Sequence, residues 1–181
     1  MRVFIALELP EHVKAEIFHG FEKLKENGIA SGNFVEKENL HLTLKFLGDV
    51  DEDKIVQVEK KLSQIKFNPF NVEVGKIGFF PNENYIRVLW VELKSSEIYD
   101  IYNKIENELN SIGFEREKEF VSHITVARIK SVKNRDIFFN KVEKIRFKKL
   151  KFEIKDFSLI KSELMKSGPV YKTIKTFELM S

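Results

Sequence analysis

Leu40-His41-Leu42-Thr43-Leu44 and Ser122-His123-Ile124-Thr125-Val126 are one pattern written twice, an imidazole and a hydroxyl two residues apart inside an apolar run. The chain holds four histidines, and two of them occupy these matching places. Residues two apart along a β-strand share a face. His41 and Thr43 therefore point one way while Leu42 and Leu44 enter a core, and His123 and Thr125 do the same against Ile124 and Val126. Burying an imidazole or a hydroxyl without a partner costs about 1–3 kcal/mol. Such strands fit a groove better than a core. Two of them facing each other supply a set that holds a phosphate and moves protons on both sides of it.

Working outward, the two halves of the chain match. Strand, long helix, His-Thr strand, shorter helix and strand run from Val3 to Phe80, and the same order runs again from Arg87 to Leu164. His123 follows His41 by 82 residues, and Phe152 follows Phe70 by the same interval. The first half reads as a strand at Val3–Leu9, then a helix at Glu11–Asn27 with Val13, Ile17, Phe21 and Leu24 on one face and Gly28 as its stop. The His41 strand is Leu40–Gly48; Asp51 caps a helix from Glu52 to Ile65, and Phe70–Phe80 is the next strand. In the second half Tyr85–Leu93 is a strand, and Ser95 or Ser96 opens a helix through Leu109 that stops at Gly113. After the His123 strand come a short helix at Asn134–Val142 and strands at Lys151–Leu159, Ile160–Leu164 and Tyr171–Leu179, with a Gly168-Pro169 turn between the last two.

A repeat on this scale dictates the architecture. It predicts an α+β fold, a bilobal internal duplication of a β-α-β-α-β unit with two antiparallel or mixed sheets around a central cleft. Residues 1–181 are expected to form one domain, with lobes at approximately 3–80 and 87–164 and the strand 171–179 added. A doubly wound parallel sheet is the weaker reading, because no Gly-rich phosphate loop follows a strand and the late connections are too short for parallel crossovers.

Composition bounds the rest. With 43% hydrophobic and 33% charged residues the chain is a globular protein, not a disordered one. A net charge of +3 permits an anionic substrate without arguing for nucleic acid. The absence of cysteine excludes disulfides, thiolate metal sites and a cysteine nucleophile. The opening apolar run is short and broken by Glu8, unlike a signal peptide, and no stretch reaches the ~20 apolar residues of a membrane span. The expectation is a cytoplasmic protein with no membrane association. Both lobes can bury their apolar faces within one chain, so a monomer with no obligate protein partner is expected.

Imidazole titrates near pH 6.5, so it can give or take a proton at working pH. Two imidazoles flanking a phosphodiester suit in-line displacement, one taking a proton from the attacking oxygen and the other protonating the departing one. Threonine hydroxyls can donate to the non-bridging oxygens as charge builds. No Asp or Glu stands at ligand spacing beside either histidine, so no metal and no cofactor is expected.

These segments resemble the 2H phosphoesterase superfamily, and within it the LigT-like RNA 2′,3′-cyclic phosphodiesterases, historically called 2′-5′ RNA ligases. The resemblance rests on Glu38 through Gly48, Arg87-Val88-Leu89-Trp90-Val91, His123-Ile124-Thr125-Val126-Ala127-Arg128, and Ser162 through Tyr171, in the family's order over nearly the whole chain. It implies a bilobal fold with a central cleft and hydrolysis of RNA-terminal or nucleoside 2′,3′-cyclic phosphate to a 2′-phosphomonoester, with 2′-5′ ligation as the reverse. Its partners would be RNA ends or nucleotides carrying that cyclic phosphate. It implies His41 as proton donor, His123 as proton acceptor, Thr43 and Thr125 as phosphate ligands, Phe46 against the nucleobase and Arg128 near the phosphate. The chain departs from the family in carrying Phe34 where a Trp is usual and Ser122 where a Pro is common.

Strand parity adds a tension and one further candidate. Phe46 and Arg128 lie five residues after their histidines, so a regular strand points them to the opposite face; either each strand ends or bulges first or the implied roles are wrong, and the equal offset favours the first. Lys45 shares the His41 face by the same parity and is a candidate phosphate contact. His12 and His19 read as exposed helix residues. Lys141, Lys144, Arg146, Lys148, Lys149 and Lys151 form a basic run, a solvated face or at most a guide for RNA. Two rival functions stand: another 2H activity, on 2′-5′ oligonucleotides or a non-RNA cyclic phosphate, and a non-catalytic RNA-binding module.

Overall fold

The computed structural model describes residues 1–147, 149–166 and 168–180, which leaves Lys148 of the basic run outside the described residues. In the first half, β1 (Arg2–Glu8) leads into α1 (Glu11–Glu26), and β2 (Ala30–Phe34) precedes β3 (His41–Asp49), α2 (Glu52–Leu62) and β4 (Phe70–Asn82). The second half runs β5 (Tyr85–Lys94), α3 (Ser96–Asn110), β6 (His123–Val132), α4 (Arg135–Glu143), β7 (Lys151–Ile154), β8 (Asp156–Met165) and β9 (Gly168–Glu178).

The helices form where apolar side chains recur at helical spacing, and in α2 and α4 a side-chain cap satisfies the first turn, whereas Pro10 before α1 and Ser95 before α3 make no cap bond. In α2 the buried stripe is Ile55, Val58 and Leu62, and the Asp51 carboxylate accepts from the Lys54 backbone N–H at 2.8 Å. Asn134 caps α4 in the same way, accepting from the Ile137 N–H at 3.0 Å. The inward faces of all four helices join one core with Leu42, Leu44, Ile124 and Val126. The other face of β3 and β6 is therefore left to the histidines.

Among the described residues the strands form one antiparallel sheet in the order β7-β4-β5-β6-β3-β1-β8-β9, with β2 also paired to β6. It consists of a half made of β7, β4, β5 and β6 with β2 alongside, and a half made of β3, β1, β8 and β9, joined where β3 meets β6, and that seam is a single residue pair, Leu42 opposite Ile124. Beyond it β6 leaves β3 and takes β2 as its partner. A junction this narrow opens the sheet into a cleft.

The halves of the sheet are not the halves of the sequence. β4 crosses to pair with β5, and β8 returns to pair with β1. That return explains where the late strands divide. The break falls at Lys155, between β7 on β4 and β8 on β1, and not after Leu159 as the apolar run predicts. A continuous β-like sequence carries no mark of the point at which the chain changes partners.

Sequence pattern also gives no hint of β2. Its residues, Ala30-Ser31-Gly32-Asn33-Phe34, include two poor strand formers and no clean alternation. It exists because β6 offers an edge. Gly32 is required there: its φ is 157°, and a methyl group in its place would overlap the Arg128 carbonyl.

Candidate active site

The seam places the paired motifs. With Leu42 opposite Ile124 in antiparallel register, His41 lies toward Thr125 and Thr43 toward His123. Pleating sends Leu42 and Ile124 into the core, where both are fully buried, and turns the four polar side chains to the other face, where each is half-buried.

Each histidine is held by its own strand entrance. His41 Nδ1 lies 2.7 Å from the Asn39 carbonyl, and His123 Nδ1 lies 2.7 Å from the Val121 carbonyl. A carbonyl only accepts, so Nδ1 carries the hydrogen in both rings and Nε2 is left for chemistry. His41 Nε2 lies 3.0 Å from the Thr43 hydroxyl, which donates to it in the neutral ring and accepts from it in the imidazolium. Among the described residues His123 Nε2 has no protein partner. Ser122 is buried and donates to the Leu93 carbonyl at 2.6 Å, fixing the start of β6 against β5.

Aromatic rings wall both imidazoles. Phe4 and Tyr171 stand 5.0 and 5.3 Å from His41, and Phe80 and Trp90 stand 5.0 and 6.0 Å from His123. Gly78 makes room for the Trp90 indole, which a methyl group at that position would overlap. A cleft of about 540 Å³ opens beside His41, lined by Glu8, Lys14, Glu38, Asn39, Ile160 and Tyr171 among others. That volume is in the range of small-molecule sites.

The five-residue problem is solved by a pair of bulges. Between β1 and β3 the register steps from Ala6–Thr43 to Ile5–Lys45, so Leu44 is extra. Between β5 and β6 it steps from Trp90–Thr125 to Leu89–Ala127, so Val126 is extra. Two consecutive residues are then buried in each strand, Leu44-Lys45 and Val126-Ala127, and the parity flips. Phe46 emerges 64% exposed with its ring 6.0 Å from Phe4, and Arg128 emerges exposed beside His123. The same shift corrects the place of Lys45. It leaves the His41 face, is buried, and forms an ion pair with Glu106 at 2.5 Å while donating to the Glu115 carbonyl at 2.8 Å.

The groups interact as a ring. The His123 charge reaches His41, the Arg128 charge reaches both His123 and Tyr171, and Tyr171 packs against His41. Burial holds both imidazoles below their ordinary 6.5. The neighbouring charges differ in sign. Glu8, in register with His41 across β1, favours its cation, against Lys14 and His123, while Arg128 disfavours the cation of His123. Sequence reasoning missed Glu8, Phe4, Phe80 and the role of Tyr171, although Tyr171 ends a segment that carried the resemblance. His12 and His19 lie exposed on α1, as their position suggested. Among the described residues no three His, Asp or Glu side chains gather to hold a metal ion.

A lowered imidazole value has a consequence for stability. Below pH 6.5 the unfolded chain takes up a proton that the folded one refuses, so the folded state is undiminished above 6.5 and weakens as pH falls through it. The expected slope is up to about 1.4 kcal/mol per pH unit for one such group. Urea unfolding between pH 7 and 5 should show the loss, and His41→Leu should flatten the dependence. An unchanged slope in the variant would remove His41 as its source.

Comparison with known proteins gives the family. The model of the LigT like phosphoesterase family matches the chain twice, over residues 7–90 and 91–171, each stretch carrying one His-x-Thr strand. The chain belongs to the LigT-like phosphoesterase family, as the motifs implied. An RNA 2′,3′-cyclic phosphodiesterase of Methanocaldococcus jannaschii is 39% identical over 176 residues, covering 97% of this chain and 99% of that one. One of the same name from Archaeoglobus fulgidus is 35% identical over 181 residues, covering 98% and 100%. The crystal structure of TT0787 of Thermus thermophilus superposes with a TM-score of 0.84 at 27% identity, over 99% of this chain and 98% of that one. No described helix is long and apolar enough to cross a membrane.

Proposed function

We propose that this chain is an RNA 2′,3′-cyclic phosphodiesterase, acting as one domain of two repeats that hydrolyses RNA-terminal or nucleoside 2′,3′-cyclic phosphate to a 2′-phosphomonoester. His41 is the proton donor and His123 the proton acceptor. The observation that carries the reading is the pair of imidazoles that the Leu42–Ile124 seam brings to one face, each with Nδ1 against a backbone carbonyl and Nε2 left for proton transfer; the division of roles between them follows the family resemblance. The anionic phosphate favours the His41 cation further when it binds.

In the reaction, water attacks phosphorus and gives its proton to His123 Nε2. The bond from phosphorus to the 3′-oxygen breaks, and that oxygen takes the proton of His41 Nε2. Thr43 and Thr125 donate to the non-bridging oxygens, and Arg128 offsets their charge. The nucleoside attached to the departing oxygen lies on the His41 side. Phe46 offers an exposed ring for a nucleobase. Two imidazoles supply both proton transfers, so the chemistry needs no metal. With a ribose 5′-hydroxyl in place of water the same steps form a 2′-5′ bond.

The test is to incubate the protein with a 2′,3′-cyclic nucleotide and a chelator and to identify the product. A 2′-phosphate at undiminished rate is expected. A 3′-phosphate would reverse which oxygen leaves, and loss of activity in chelator would overturn the two-histidine mechanism.

A further inference from the structure

Away from the catalytic cleft, a second concavity of about 330 Å³ lies between α1 and the end of α4, with Lys23, Lys141, Lys144 and Arg146 on its walls. None of these four cations has a carboxylate partner among the described residues, although many other lysines of the chain do. Glu16 is the one acidic side chain in the lining, and His19 there is already bonded to Glu22 at 2.8 Å. The floor is apolar, made by Leu24, Ile145 and Phe147. Gly20 lets the 145–147 segment approach α1: a methyl group there would stand 3.1 Å from the Phe147 ring and 3.3 Å from Ile145. Unpaired charges of one sign around a low-dielectric floor focus their field on the concavity. Much of the sequence's basic run thus becomes a shaped site and not merely a solvated face.

We propose that this concavity is a second anion site, which takes backbone phosphates of the RNA strand whose end is processed in the cleft. It sits on the helical layer, whereas the histidines occupy the opposite face of the sheet. It therefore engages nucleotides remote from the reacting end and distinguishes an RNA strand from a lone nucleotide. Single-strand binding through phosphates follows salt with a slope of about −0.7 per contact. The proposal rests on RNA being the substrate, so its test is separated from catalysis.

The probe is a labelled single-stranded 12-mer RNA with an ordinary 3′-hydroxyl, which cannot be turned over. The wild-type chain should bind it, and Lys141→Glu/Lys144→Glu should weaken binding at least tenfold and make the salt slope shallower by about 1.4. Lys141→Gln/Lys144→Gln should show a smaller loss in the same direction, and turnover of a 2′,3′-cyclic mononucleotide should be unchanged in both. RNA affinity and salt slope equal to wild type in the charge-reversed variant would overturn the site. Displacement of the RNA by inorganic phosphate at equal phosphate concentration would reassign it to the free ion. Failure of the catalytic reading shows separately, as absent turnover of the cyclic mononucleotide by wild type.

Discussion

His123→Ala is expected to lower kcat for hydrolysis of a 2′,3′-cyclic nucleotide by about 10²–10⁴, with little change in KM, and His41→Ala to do the same. A positioned acid or base acts in the transition state and contributes little to ground-state binding, so the loss belongs in kcat. The double variant should lose much less than the product of the two single losses, because each histidine is useful only while the other completes the proton transfer. Steady-state kinetics on the three variants checks this. A non-catalytic RNA-binding module would show no turnover to lose, and a loss confined to KM would demote the histidines to phosphate ligands.

The second large effect is on stability. Lys45→Met is expected to cost about 3–5 kcal/mol, because it leaves Glu106 as a buried carboxylate without its cation. Against a typical total of about 5–15 kcal/mol this is severe. The pair does more than fill the core. Lys45 on β3 donates to the Glu115 carbonyl, and Glu106 on α3 accepts from the Glu117 N–H at 3.1 Å. It thereby ties the segment leading to His123 onto the strand that carries His41. Lys45→Met/Glu106→Leu should recover most of the loss, since removing both charges ends the uncompensated burial. Urea unfolding of the two variants decides it. A cost below about 1 kcal/mol for the single change would mean that the pair behaves like an exposed one.

The fate of Lys45 shows where reading the sequence runs out. Alternation along a strand correctly sent His41, Thr43, His123 and Thr125 to one face and the apolar residues between them to the core. It then misplaced Lys45, because a bulge is one extra residue against a partner strand and leaves no local signal in composition. The repeat gave the clue: Phe46 and Arg128 sit at equal offsets from their histidines, and two bulges at equivalent places satisfy both. The helices and the Asp51 cap were legible because they depend on near neighbours, whereas Ser95, expected to open α3, makes no cap bond and donates to the Glu97 carboxylate. The exchange of β4 and β8 between halves of the sheet, the edge strand β2, and the packing of Phe4, Phe80 and Glu8 around the imidazoles depend on distant partners. No window of sequence contains them.

Whether His41 enters the reaction protonated and His123 enters it neutral is decided by the pH dependence of kcat/KM in wild type and the two alanine variants. Both rings are held below 6.5, so the wild-type profile should be a bell with its maximum on the acid side of that value. His123→Ala should abolish the acid limb and leave residual activity that only falls as pH rises. His41→Ala should abolish the alkaline limb and leave activity that rises to a plateau. An exchange of those two limbs would reverse the roles, and a bell unchanged in either variant would mean that the replaced histidine transfers no proton.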